Sequence, residues 1–171
     1  MILGLIPSRL NSTRLKHKPL LKIDGLPIIV HTFKRALLAK KLDKVIVCCD
    51  DKKILDVVNK YGGKAILTSK NHRNGTERIY EVAKKIRPKL IIDIQGDEPL
   101  ISPYHIDQVI DFHRKNYYVD IVLPTLNIKL PESPSLIKVV TNSKKEVMYL
   151  SRSKIPYEFK NKQKNFKKHL S

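Results

Sequence analysis

Leu90-Ile91-Ile92-Asp93-Ile94-Gln95-Gly96-Asp97-Glu98-Pro99 is an apolar run that ends in an acidic turn, inside a chain that is otherwise strongly basic. A short, nearly continuous apolar run bounded by turn residues reads as a strand of an α/β sheet. The turn then places Asp97 at the carboxyl end of that strand, where open α/β sheets bind their ligands. A carboxylate there, among many Lys and Arg, is suited to holding a divalent metal against a polyanionic substrate. The expected chemistry is therefore on phosphate.

Outward from this stretch, short apolar runs alternate with helical patterns, the signature of βαβ units and a mostly parallel sheet. Ile2 to Ile6 is the first strand, and the polar loop 7–19 follows it. Leu20 to Ile23 with Asp24-Gly25 reads as a short strand and turn. Pro27 opens a helix whose apolar face is Ile28, Val30 or His31, Leu37 and Leu38. Val45 to Cys49 is a strand, Ile54 to Asn59 a helix closed by Tyr61-Gly62-Gly63, and Ala65 to Thr68 a strand. A helix from Thr76, its expected N-cap, runs to Ile86. A helix from Pro103 to about Lys115 precedes a strand over Asp120–Ile128. Leu136–Thr141 and Glu146–Leu150 form a hairpin about Asn142-Ser143-Lys144-Lys145. The opening is doubly wound, and the portion after residue 120 is more antiparallel.

A chain of 171 residues with 42% hydrophobic content can bury one core, and no apolar run reaches membrane-spanning length. Met1 leads straight into the first strand, which reads as mature sequence and not as a signal peptide. Cys48 and Cys49 are adjacent in a strand, so they point to opposite faces and lack metal-ligand spacing; reduced core residues of a cytoplasmic protein are expected. The formal charge of +18, from 34 Lys and Arg against 16 Asp and Glu, attracts polyanions. The lysines are scattered over helix faces without interleaved aromatics, and no nucleic-acid-binding motif appears, so neither nucleic acid nor membrane is the expected partner. A non-catalytic basic nucleotide- or nucleic-acid-binding module is the alternative from another class. Only Lys160 to Lys168 forms a dense basic cluster, read as a loop.

The loops 7–19, 69–75 and 95–99 all leave carboxyl ends of strands and converge on one crevice. The first offers Arg9, Arg14 and Lys18 with Ser12 and Thr13; forked guanidinium donors and a lysine point charge suit a triphosphate and its pyrophosphate leaving group. Its plain alternative is a solvated basic loop. Asp97 stands as the sole free carboxylate at a crevice-facing strand end, flanked by Gln95 and by Glu98, which caps the following turn. Thr68, Ser69, Asn74 and Gly75 precede a helix start, where backbone groups favour anions or can read a base edge; Thr76 capping explains part of this pattern. Arg152, after the last strand, suits a carboxylate and equally suits a plain basic loop.

Taken in order, IPSRLNSTRLKHKPLLKIDGLPIIVHTFKRA, VIVCCDD, GGKAILTSKNHRNGTERI, DIQGDEPLI, IKVV and YLSRSKIPY closely resemble the 3-deoxy-manno-octulosonate (KDO) cytidylyltransferases, over essentially the whole chain. The resemblance implies a three-layer, Rossmann-like nucleotide-diphospho-sugar transferase fold with a mixed, mostly parallel sheet. It also implies Mg²⁺-dependent transfer of CMP from CTP to KDO in lipopolysaccharide synthesis; a related sugar acid is the alternative substrate. By motif position Arg9 and Lys18 grip the triphosphate, Ser12, Thr13 and Arg14 shape that loop, and residues 68–75 contact cytosine. Arg78 and Gln95 lie toward the sugar, Asp97 holds the metal, and Arg152 approaches the sugar acid.

Three departures stand out. Lys16-His17 replaces the family's usual Pro-Gly, so the turn before Lys18 is made without glycine. Asn74 stands where Ser is common. The family continues into a C-terminal part carrying sugar contacts, a second metal-binding Asp and much of a homodimer interface. Residues 1–171 are accordingly read as one C-terminally truncated domain, with a nucleotide-binding half over 1–119 and the start of the sugar-binding and dimerisation part over 120–171. The polar tail after Tyr157 cannot cover the preceding strands, which predicts association and no turnover for the isolated chain.

Overall fold

The computed structural model describes residues 1–11, 15–126 and 136–155, which fall in two compact units divided between Val122 and Leu123. In the first unit, β1 (Ile2–Ser8), β4 (Lys44–Cys49), β5 (Ala65–Leu67) and β6 (Leu90–Asp93) form a parallel sheet in the order β5-β4-β1-β6. β1 and β4 are its two central strands, and their residues are almost all buried because helices cover both faces. Ile2, Ile6, Val45, Val47 and Cys49 pack beneath α1 (Ile28–Ala36), α2 (Lys52–Lys60) and α4 (Pro103–Lys115). Leu3, Leu5, Ile46 and Cys48 pack beneath α3 (Gly75–Ile86) on the opposite face. The three layers follow from the period of two along each strand.

The chain steps from β1 outward to β4 and β5, then returns across the sheet through α3 to pair β6 with the other side of β1. The order therefore reverses beside β1, and the crevice at the carboxyl ends of β1 and β6 is the topological switch point. A two-stranded ribbon, β2 (Lys22–Ile23) and β3 (Leu26–Pro27), closes through Asp24 and Gly25, both at positive φ.

In the second unit, β7 (Lys138–Thr141) and β8 (Val147–Ser151) form the expected antiparallel hairpin. Asn142 Oδ1 accepts from the amides of Lys144 and Glu146, each at 2.9 Å, and so organises the turn. Among the described residues no helix is long and apolar enough to cross a membrane.

Three expectations are corrected. Residues 120–126 form no strand, and 127–128 lie outside the described residues. Pro124 has no amide to give to a ladder, which makes this segment a poor strand despite its apolar character. Leu37 and Leu38 do not extend the apolar face of α1; the helix ends at Ala36, and both are exposed while Ala39 is buried. The N-cap of α3 is Asn74, not Thr76: the Asn74 side chain accepts from the Glu77 amide. The strand at 65–67, the helix start at Pro103 and the buried, unbonded cysteines agree with the sequence reading.

Candidate functional site

Pro7, near the end of β1, is the point on which the crevice loops close. A Cβ on Gly96 would lie 2.7 Å from the Pro7 carbonyl oxygen, and one on Gly75 would lie 3.1 Å from Pro7 Cγ. The absence of side chains at these two positions lets the turn after β6 approach the Pro7 backbone and the start of α3 approach the Pro7 ring. Thr32, fully buried on α1, has its hydroxyl 3.2 Å from the Gly96 carbonyl and braces the turn from below.

Across this floor, Lys18 Nζ donates to Asp97 Oδ2 at 2.5 Å, joining residues 79 apart in sequence. Both side chains keep substantial solvent access, 35% and 52%. Asp97 is thus at the crevice as expected, but it is paired and not free. Lys18 begins a 3₁₀ turn (Lys18–Leu20) whose entry is made by His17 at φ 55°, the left-handed conformation usually supplied by glycine. The chain therefore keeps the turn geometry while lacking the glycine. Arg9 lies exposed just beyond β1; Ser12, Thr13 and Arg14 lie outside the described residues.

The segment after β5 is internally bonded at almost every residue. Thr68 is buried, its hydroxyl donating to the Cys49 carbonyl at 2.9 Å. Glu81 Oε2 accepts from the Ser69 amide at 2.9 Å and lies 2.8 Å from His72 Nε2, while Oε1 accepts from Lys85. The Ser69 amide first, then Lys85 and His72, hold the Glu81 carboxyl down at about 2. Glu77 Oε2 accepts from the Arg73 amide at 2.9 Å, and this contact lowers its carboxyl too. Asn74 is occupied as a helix cap, and Gly75 opens α3.

Arg78 is only 3% exposed. Its Nη1 donates to Thr68 Oγ1 at 2.5 Å and to the Ser69 carbonyl at 3.1 Å, and Nη2 lies 3.4 Å from Asp50 Oδ2. The guanidinium is spent on protein oxygens and stabilises the 68–69 backbone from beneath. Gln95 is exposed and donates to Asp93 at 3.1 Å. Arg152 follows β8 in the second unit, where its carbonyl accepts from Lys138 Nζ at 2.8 Å.

Sequence reasoning missed two groups. Asp50, directly after β4, is a second carboxylate at a strand end, accepting from the Leu10 amide at 2.9 Å. Ser8, which ends β1, has a buried hydroxyl with no hydrogen-bond partner among the described residues, at the carboxyl end of a central strand. The adjacent acids Asp50 and Asp51 after an apolar run were a usable signal for the first; nothing local marks the second. Among the described residues no group of three or more His, Cys, Asp or Glu could form a metal cage. A lone, solvent-accessible carboxylate fits an ion that keeps phosphate and water ligands.

A family model described as cytidylyltransferase matches residues 3–171. A 3-deoxy-manno-octulosonate cytidylyltransferase of Fusobacterium nucleatum subsp. nucleatum is 44% identical, over 98% of this chain and 70% of its own length. That of Escherichia coli is 37% identical, over 96% of this chain and 68% of its own length. Among solved structures, a CMP:2-keto-3-deoxy-manno-octonic acid synthetase complexed with CTP superposes with a TM-score of 0.79 at 36% identity, covering 91% of this chain and 66% of that one. The chain thus spans about two thirds of the length of the relatives it matches.

Proposed function

Since the chain belongs to the cytidylyltransferase family, on the branch of the 3-deoxy-manno-octulosonate enzymes, we propose that it supplies the CTP-binding portion of an enzyme that transfers CMP to KDO and releases pyrophosphate. In that reaction a sugar hydroxyl attacks the α-phosphorus and gives up its proton to solvent, the new P–O bond forms to the sugar, and the bond from the α-phosphorus to the oxygen bridging to the β-phosphate breaks, releasing pyrophosphate. Both reactants are anions, so the site must supply cations before it supplies anything else. The pairing of Lys18 and Asp97 at the switch point supports this reading, because a cation suited to phosphate stands beside a carboxylate suited to a divalent ion.

Lys18 and Arg9 bind the triphosphate and stabilise the departing pyrophosphate; Ser12, Thr13 and Arg14 belong to the same arm. Asp97 holds a divalent ion, Mg²⁺, which when bound neutralises charge on phosphate oxygens. The Thr68–Gly75 segment meets cytosine, using a backbone already fixed by Glu81 and Arg78. Gln95 lies toward the sugar, and Arg152 is the proposed partner of the sugar acid's carboxylate. In the complete protein we expect a cytoplasmic homodimer that uses neither nucleic acid nor membrane, with the first unit as the nucleotide half and the second beginning the sugar-binding part.

Calorimetric titration with CTP, UTP, CMP and a DNA duplex, with and without Mg²⁺, tests the reading. CTP should bind best and need Mg²⁺, and Asp97→Asn should remove the metal dependence while leaving the circular dichroism spectrum unchanged. Equal affinity for CTP and CMP, or stronger and salt-steep affinity for DNA, refutes it.

A further inference from the structure

We propose that Asp50 is a positioning residue that ties the two walls of the crevice together, linking Leu10, just after β1, to Thr68 and Ser69 after β5 so that the two are held in one arrangement. The proposal rests on the nucleotide-site reading, in which the first wall takes the triphosphate and the second the base. β4 ends at Cys49, and the two acids that follow diverge in role. Asp51 caps α2 by accepting from the Lys53 amide at 2.8 Å. Asp50 turns inward, with its side chain 15% exposed against the 4% of Arg78.

Its two oxygens serve different walls. Oδ1 accepts from the amide of Leu10, which is buried in the core next to Arg9. Oδ2 faces Arg78 Nη2, whose other nitrogen holds the Thr68 hydroxyl and the Ser69 carbonyl. The path thus runs Leu10, Asp50, Arg78, Thr68 and Ser69, and spans sequence separations of 40, 28 and 10. A carboxylate suits this place because a nearly buried guanidinium needs a counter-charge, and its second oxygen remains to accept an amide. If Asp50 served the fold alone, the two walls would be stabilised independently. A tie makes a change at Asp50 appear at the Ser69 amide, which Asp50 itself does not touch.

Asp50→Asn separates the two cases, because Asn keeps an acceptor for the Leu10 amide but presents no charge to Arg78. Amide hydrogen exchange should then show Leu10 still protected and the Ser69 amide accelerated by about tenfold or more, although the Glu81 acceptor of Ser69 is untouched. Affinity for CTP should fall by about tenfold, while cytidine and pyrophosphate, each touching one wall, lose less than about threefold. An unchanged Ser69 amide, or equal losses for all three ligands, overturns the tie. Should Asp50→Asn not fold, the unmodified chain still decides: the Leu10 and Ser69 amides must exchange with the same denaturant dependence, and different dependences overturn the tie. If the unmodified chain binds no CTP, the nucleotide reading falls while the exchange measurements still judge Asp50.

Discussion

The two walls of the crevice are built by opposite means. The segment Thr68–Gly75 is held by the protein itself: Glu81 and Glu77 accept from its Ser69 and Arg73 amides, Arg78 donates to its Ser69 carbonyl, and its Asn74 side chain accepts from the Glu77 amide to cap α3. The arm around Lys18 reaches across to Asp97 by one exposed ion pair and enters its turn through a left-handed histidine. A base must be read by groups already in position, because a wrong base is rejected only when donors and acceptors cannot adjust. A triphosphate with its metal needs cations that can change partner. On the proposed reading, in which the Thr68–Gly75 segment meets the base and the Lys18 arm the triphosphate, the difference teaches that the base wall is stabilised by folding and the phosphate wall is completed by substrate.

The sharpest way to break this contrast is to remove Arg78. Arg78→Ala leaves the largely buried Asp50 without its counter-charge and should cost about 3 kcal/mol in chemical denaturation. Loss of under about 1 kcal/mol would show that the base wall is not held from beneath. Gly96→Ala comes next: its Cβ would meet the Pro7 carbonyl, and the forced backbone shift should cost about 2 kcal/mol, with thermal unfolding as the measure. Lys18→Ala should leave stability within about 0.5 kcal/mol, since the pair is exposed, yet weaken CTP about tenfold more than CMP. Equal losses for CTP and CMP would mean that the arm does not touch the β- and γ-phosphates. His17→Gly should stabilise the fold by about 1 kcal/mol by relieving the left-handed backbone; destabilisation would show that the histidine side chain contributes more than its conformation costs.

Acid sharpens the contrast most gently. The Glu81 carboxyl is held near 2, below its ordinary value of 4.5. Its contribution is complete above about 4.5 and is lost as pH falls through about 2, so the base wall should loosen in that window. Exchange at the Ser69 amide, corrected for the intrinsic pH dependence, measures it; constant protection down to pH 2 contradicts the assignment.

Local pattern was enough for much of the fold. Lys44–Cys49, Ala65–Leu67 and Pro103–Lys115 each carry their own period and boundary residues, and Asn142–Lys145 carries a turn. The failures share a cause, which is that the deciding partner is distant in sequence or absent from the local pattern. Residues 120–126 are apolar enough for a strand, but a strand is defined by a neighbour and by free amides, and Pro124 gives none. Leu37 and Leu38 continue an apolar sequence past the point where the helix stops facing the sheet. At the site, Lys18 and Asp97 were readable as charges at strand ends, while their pairing was not. Arg78, which the resemblance puts toward the sugar, is buried, and nothing nearby in sequence announces Asp50 and Thr68 around its guanidinium.

Cys48 and Cys49 sit side by side on β4 yet belong to different layers, one beneath α3 and the other beneath α1 and α2. Burial pushes their thiols up to about 12 and about 11, so at neutral pH neither is a nucleophile while the layers stay closed. Each sulfur is therefore a built-in seal on one side of the sheet. Mass-resolved alkylation would record which seal breaks first as the protein breathes, and the chain carries this two-channel clock without any engineered label.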